Sequence, residues 1–329
     1  MAMAPALTVE DLTVDIDGAS VVDGVSFAVT AGEVVALVGE SGCGKSLTAL
    51  ALLGLLPDAA QIVSGKIVLD RTDLVALPER AMRRVRGSQL SIIFQEATAS
   101  LDPLTTVGAQ VAEAYTLHHS VSRPAAWAKA RDMLAAVGIG DPELRLGQYP
   151  FELSGGLCQR VMIAMALICG PRVLIADEPT TALDVTIQAQ ILDLMKRLVA
   201  ERGTSIVLIT HDMGVVADAA DRVAVMYAGR IAEIAPVDEL FSRPRHAYTA
   251  LLLAAMPRLD HKPKQALATI EGKVPAAGDF GDGCRFAARC PLASERCRNE
   301  QPPLLELAPG HRAACWHADR VAGLVESTA

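Results

Sequence analysis

The sequence predicts an α/β fold carrying an inserted helical subdomain and a small cysteine-rich C-terminal region, and three patterns carry that reading. Short apolar strands alternate with helical runs between Leu7 and Ile234. The strand signal disappears from about Thr98 to Gly147, where apolar residues recur three and four apart, as at Trp127, Ala130, Leu134 and Val137. Four of the seven cysteines crowd into about thirty residues near the C-terminus.

Taken in order, Leu12, Val14 and Ile16 alternate with Thr13 and Asp15, and Val25, Phe27 and Val29 repeat the pattern beyond Asp17-Gly18: a strand, a turn and a second strand. Glu33 to Val38 reads as a buried strand and Lys45 to Leu56 as a helix. Between them, Gly39-Glu40-Ser41-Gly42-Cys43-Gly44-Lys45-Ser46 fits G-x-x-x-x-G-K-[ST]. Its glycines let successive backbone N–H groups face one anion, and the following helix N-terminus adds partial positive charge. The expected ligand is a nucleotide triphosphate, with Lys45 reaching the β- and γ-phosphates and Ser46 holding Mg²⁺.

Gly65 to Asp70 gives a short strand, and Ser91-Ile92-Ile93-Phe94 another that ends on Gln95. After the helical stretch, Leu153-Ser154-Gly155-Gly156 precedes the helical run Leu157 to Cys169, which places a hydroxyl and unpaired N–H groups at a helix start. Val173-Leu174-Ile175-Ala176 is an all-apolar strand delivering Asp177 and Glu178 at its C-terminal end, where ligand chemistry belongs in a parallel sheet. Asp177 is suited to Mg²⁺, and Glu178 to activating a water as general base. Thr186 to Ala200 is an amphipathic helix with Ile187, Ile191, Leu194 and Leu198 on one face. Ser205 to Ile209 is a buried strand leading to His211, and Val223 to Ile234 forms a hairpin turning on Gly229. Val237 to Met256 reads as helix and Arg258 to Gly283 as linker. These patterns divide the chain into a nucleotide-binding domain, 1–236, with its helical subdomain at about 98–165, and a C-terminal region, 237–329.

A net charge of −8 and a pI near 5.4 argue against nucleic acid as a partner, since phosphate backbones select for basic patches. Mean hydropathy is high at +0.31, yet the longest apolar runs are only about ten residues, too short to span a bilayer. The start, Met1-Ala2-Met3-Ala4-Pro5, lacks the basic-then-apolar pattern of a secretory signal, so a cytoplasmic chain is expected.

With these residues in view the chain resembles the ATP-binding cassette (ABC) ATPases from about Leu7 to Ile234. Gly39–Ser46 is similar to their Walker A loop, Gln95 to the Q-loop glutamine, and Leu153–Gly156 to the signature. Asp177 and Glu178 are similar to the Walker B pair, Thr181–Asp184 to the D-loop, and His211 to the switch histidine. The resemblance implies a P-loop NTPase fold, ATP and Mg²⁺ as ligands with Ser46, Gln95 and Asp177 around the metal, and catalysis by Glu178, Gln95 and His211. It also implies a two-cassette dimer in which each loop meets the partner's Ser154-Gly155-Gly156. Two positions depart from the family. Leu157 stands where glutamine is common, removing a polar side chain, and Ile16 stands where many cassettes stack an aromatic on adenine.

Pro244-Arg245-His246-Ala247-Tyr248-Thr249, the stretch Gly283 to Cys290, and Ser100-Leu101-Asp102-Pro103 narrow the resemblance to dipeptide/oligopeptide and nickel importer ATPases, with Ala247 and Asp102 replacing the family's proline and asparagine. Such subunits work with a sister ATPase beneath two transmembrane permeases, fed by a periplasmic solute-binding protein, at the cytoplasmic face of the inner membrane. The expected activity is therefore ATP hydrolysis energising peptide import. A nickel or other small-solute importer ATPase, a soluble non-transport ABC ATPase, and a small-molecule kinase sharing only the phosphate loop are the alternatives. Cys284, Cys290, Cys297 and Cys315, spaced six, seven and eighteen apart, suit a [4Fe–4S] cluster in a compartment that disfavours disulfides. Zinc, with His317 replacing one thiolate, and free buried thiols are the other readings.

Overall fold

The computed structural model describes residues 4–181, 184–256 and 269–324. Strands β1 (Pro5–Ile16), β2 (Ala19–Thr30) and β3 (Val34–Val38) lead to α1 (Lys45–Leu52), β4 (Ala60–Leu69), the two-residue β5 (Thr72–Asp73), α2 (Glu79–Val85) and β6 (Leu90–Ile93). Helices follow: α3 (Ala97–Ser100), α4 (Val107–Thr116), α5 (Arg123–Ala136), α6 (Pro142–Leu146) and α7 (Gly155–Leu167). Then come β7 (Val173–Asp177), α8 (Val185–Arg202), β8 (Ser205–Thr210), α9 (Met213–Ala219), β9 (Arg222–Tyr227) and β10 (Arg230–Pro236). The remainder holds α10 (Val237–Ser242), α11 (Ala247–Ala254), α12 (Glu295–Asn299), β11 (Leu305–Ala308) and β12 (His311–Ala313).

The chain forms two compact units, one drawn from the residues up to Leu7, Ala28–Val34 and Val68–Ile209, the other from Thr8–Phe27, Val35–Ile67 and the residues from Thr210 onward. In the first, β6, β7 and β8 pair in parallel, with Ile93 opposite Ala176 and Asp177 opposite Ile209. Every residue of β7 and β8 is buried, which is why both read as unbroken apolar runs. Each fully buried Val, Leu or Ile there contributes about 2 kcal/mol of hydrophobic stabilisation. Helices α3 to α7 pack on one another through Val107, Val111, Ala130, Leu134 and Ile163, all buried.

In the second unit β3 pairs in parallel with β9, and β10 runs antiparallel to β9. The hairpin turns on Ala228 (φ 46°) and Gly229 (φ 83°), a pair of left-handed residues whose twist matches that of the flanking strands. Strand β12 then pairs with β10, Glu233 opposite Ala313, and β11 with β12, so strands from both sides of residue 236 share hydrogen bonds. Strands β2, β1 and β4 lie side by side in that order. Gly65 of β4 comes so close to β1 that a Cβ would sit 2.6 Å from Leu12 Cα.

Several elements differ from the sequence expectation, each for a local reason. Helix α1 stops at Leu52 because Gly54 turns left-handed (φ 60°) and Pro57 follows. Val237 to Met256 is two helices rather than one, since Pro244 disfavours helix at Arg243 and the N–H groups of Arg245 and His246 donate to the buried Glu233 carboxylate at 2.7 and 2.9 Å. Helices α2 and α9 and strands β11 and β12 carried too little periodicity to be read. In α8, Ile191 and Leu194 are buried as expected; the Leu198 side chain, residues 258–268 of the expected linker and the start Met1–Met3 lie outside the described residues. Among the described residues no helix is long and apolar enough to cross a membrane.

Candidate functional site

Strand β3 delivers the loop 39–46 directly into α1. A Cβ at Gly39 would stand 2.1 Å from the carbonyl oxygen of Met226, and Gly44 takes φ 101° as the residue preceding α1. Both places therefore require glycine. Ser41, Gly42 and Ser46 are exposed at the mouth of the loop, while Lys45 is buried at 6% exposure. Its ammonium donates to the carbonyls of Gly39 (2.9 Å) and Glu40 (3.0 Å) and lies 3.7 Å from Cys43 Sγ. An anion entering the loop would compete with those neutral carbonyls for the cation through the stronger, charge-assisted contact. Burial pushes the Cys43 thiol above its ordinary range, against the pull of the Lys45 ammonium.

In the other unit the parallel register of β6 and β7 brings two expected residues together. Gln95, just past β6, donates from Nε2 to Glu178 Oε2 at 2.9 Å, and Thr181 Oγ1 donates to the same oxygen at 2.9 Å. Glu178 has φ 47°, and its N–H donates to the Ile209 carbonyl at 2.9 Å. A non-glycine residue in this region costs roughly 1 kcal/mol or more, and here the strain turns the carboxylate off the strand end toward Gln95. Asp177, the last residue of β7, is buried at 8% exposure. His211 is exposed, one residue beyond β8.

Ser154 caps α7, its Oγ accepting from Leu157 N at 3.4 Å. Ser154 and Gly155 are exposed at this helix start, and a Cβ on Gly156 would come 3.2 Å from Ile187 Cγ2. Leu157 offers only its backbone N–H there. Of the segment Thr181–Asp184, Thr181 joins Glu178 and Asp184 caps α8 by accepting from Ile187 N at 3.0 Å; residues 182 and 183 lie outside the described residues.

Cys284, Cys290, Cys297 and Cys315 line one small cavity together with His246, Phe286 and His317. Burial lifts the thiols of Cys284 and Cys290 to about 11 and raises that of Cys315, with neighbouring cysteines adding in the same direction. Ser294 Oγ lies 3.4 Å from Cys297 Sγ, and His317 N–H donates to Cys315 Sγ at 3.4 Å. The expectation from spacing is met as convergence of thiols only. Among the described residues no group of three or more His, Cys, Asp or Glu side chains is arranged to hold a metal ion, which gives neither the cluster nor the zinc reading with His317 a ready ligand set.

The sequence reading missed two partners of the phosphate loop. Arg289 forks onto the Glu40 carboxylate at 2.7 and 3.0 Å, and the Tyr248 hydroxyl accepts from Glu40 N–H at 2.9 Å. Both partners lie in segments noted only for the cysteines and for the His-Ala-Tyr run, and nothing in their spacing points back to residue 40.

Comparison with known proteins places the chain among relatives of known kind. Residues 22–181 match the family model described as ABC transporter, and residues 232–297 the model of the oligopeptide/dipeptide transporter C-terminal region. The chain is 52% identical over 302 residues to a probable peptide ABC transporter ATP-binding protein of Sinorhizobium fredii, covering 92% of this chain and 90% of that one. It is 48% identical to the oligopeptide transport ATP-binding protein AppD of Bacillus subtilis, covering 90% of each. The ATP-binding cassette MJ0796, in a dimeric post-hydrolysis state with ADP and Pi, superposes with a TM-score of 0.63 at 25% identity, covering 70% of this chain and 98% of that one. For cbiO1 of Clostridium perfringens, part of the cbiONQ transporter complex, the TM-score is 0.63 at 28% identity, covering 72% and 91%.

Proposed function

The chain belongs to the family of peptide ABC transporter ATP-binding proteins, and we propose that it is the subunit whose ATP hydrolysis energises uptake of di- or oligopeptides. The observation that carries this reading is likeness to a peptide transporter's ATP-binding protein along 92% of the chain. The match of residues 232–297 to the oligopeptide/dipeptide C-terminal region supports peptides over nickel chelates.

Nucleotide binds at the loop Gly39–Ser46, where the backbone N–H groups of Ser41, Gly42 and Gly44 cradle phosphate and Lys45 exchanges its carbonyl partners for phosphate oxygens. Ser46, Gln95 and Asp177 would offer hydroxyl, amide and carboxylate oxygens, the hard donors that Mg²⁺ takes, and the ion when bound would neutralise phosphate charge. Glu178, oriented by Gln95 and Thr181, accepts a proton from the attacking water as the γ-phosphoryl bond breaks. His211 contacts the γ-phosphate, and Ile16 offers an aliphatic contact to the base, which lowers selectivity for adenine.

Residues 1–236 serve as the nucleotide-binding domain, the helices of 98–165 as its inserted subdomain, and 237–329 as the C-terminal region. Ser154-Gly155-Gly156 faces the phosphates bound to a sister ATPase subunit, which gives a helix start with an anion-binding character its ligand. The region from Gln95 through the helices passes motion to two transmembrane permeases at the cytoplasmic face of the inner membrane, with a periplasmic solute-binding protein delivering the peptide. Convergence of four thiols on one cavity supports a [4Fe–4S] cluster on Cys284, Cys290, Cys297 and Cys315 once those thiols are deprotonated.

Glu178→Gln tests the reading in the assembled transporter. The amide preserves shape but is no base, so ATP affinity is kept while hydrolysis and peptide uptake fall together by about a hundredfold or more. Uptake that continued at the parental rate would refute the coupling, and parental hydrolysis would refute the role of Glu178.

A further inference from the structure

We propose that Arg289 is a positioning residue for nucleotide binding, holding the phosphate loop in its receiving shape and neutralising the acid at its rim through Glu40. The proposal rests on the loop Gly39–Ser46 being the nucleotide site. The guanidinium sits in a built socket: its side chain is 7% exposed, and all five N–H donors are used. Nη1 donates to Glu40 Oε2 (2.7 Å) and the Tyr227 hydroxyl (3.2 Å), Nη2 to Glu40 Oε1 (3.0 Å) and the Ile270 carbonyl (3.1 Å), and Nε to the Glu271 carbonyl (2.8 Å). A surface arginine with a passing ion pair has no such set of partners. Here the fork fixes the direction of the carboxylate as well as its charge.

Glu40 transmits that order to the loop. Its N–H is committed to the Tyr248 hydroxyl and its carbonyl to the Lys45 ammonium, so a turn of this one residue displaces the atom that holds the phosphate-binding lysine. Charge matters as well. A carboxylate beside a polyphosphate opposes its binding, and a bidentate guanidinium cancels that field at short range. Tyr227, Tyr248 and Phe286, with ring centroids 4.7 to 5.3 Å apart, back the socket so that it cannot drift.

The test is the equilibrium affinity of the purified full chain for a fluorescent ATP analogue with Mg²⁺, measured in a double-mutant cycle. In the parental background Arg289→Ala is expected to weaken binding about tenfold. In the Glu40→Gln background the same change is expected to shift affinity by less than about twofold, because the group it acted through is gone. In the assembled transporter Arg289→Ala raises KM for ATP and leaves kcat near the parental value, whereas simple loss of folded protein would lower kcat and leave KM alone. Unchanged affinity on Arg289→Ala overturns the proposal. So does equal weakening in both backgrounds, which is what a general disruption of the C-terminal fold would produce. A parental chain that bound no nucleotide would instead overturn the nucleotide reading on which the proposal stands.

Discussion

His246 is 4% exposed, and its Nδ1 accepts from Tyr248 N–H at 3.1 Å, a bond that only the neutral ring can make. Burial holds its pKa at about 4, well under the ordinary 6.5, with Glu233 pulling the other way. An unfolded chain therefore takes up this proton near 6.5 and the folded chain only near 4, so the unfolded state binds more protons between those values. The depressed value makes this contribution complete at neutral pH and progressively lost as pH falls through that window. Chemical denaturation should show about 2 kcal/mol less stability at about pH 5 than at about pH 7.5 from this residue, and His246→Gln should remove that part of the slope. Parallel pH profiles for parent and variant would refute the assignment. The neighbouring Glu233, 0% exposed, is the reason the site is satisfied: it accepts from Arg245 N–H and His246 N–H and meets His311 Nε2 at 2.7 Å.

At the scale of elements, the segment from Cys284 to Cys315 has little regular structure: α12, β11, β12 and single turns. It is anchored by side chains instead. Arg285 donates to the Ala228 carbonyl and to Asp23, Arg289 holds Glu40, and Phe286 is buried at 1% exposure among Tyr227, Tyr248 and His246. The proposed cluster adds a staple to a segment that has few apolar residues of its own. Anaerobic purification should give a coloured protein with iron and sulfide in equal amounts, and Cys290→Ser should bleach it while lowering the unfolding temperature. A colourless, stably folded chain without iron would refute the cluster.

At the scale of the whole molecule, each proposed ATP site needs the Ser154-Gly155-Gly156 of a second ATPase subunit, so the purified chain should hydrolyse ATP slowly and with a specific activity that rises with its concentration. A full, concentration-independent rate from the monomer would exclude the composite site. The strand-loop-helix of Val34–Leu52, the buried strand ending on Asp177 with Glu178 just beyond it, the cap at Ser154 and the hairpin at Gly229 were all legible in the sequence. In each the cause is local: a run of apolar residues, a glycine that must be left-handed, or a hydroxyl before a helix. The break at Pro244 carried a local signal too, but the buried Glu233 that completes it lies eleven residues upstream. Only the tertiary structure decided which residues meet across long stretches of chain. Gln95 reaches Glu178 because β6 and β7 pair in register, and Arg289 reaches Glu40 because β9, β10 and the aromatic cluster carry the C-terminal segment back to the phosphate loop. Periodicity reports which side of an element is buried, while a hydrogen bond between residues 249 positions apart depends on how the elements pack, and no local pattern encodes that.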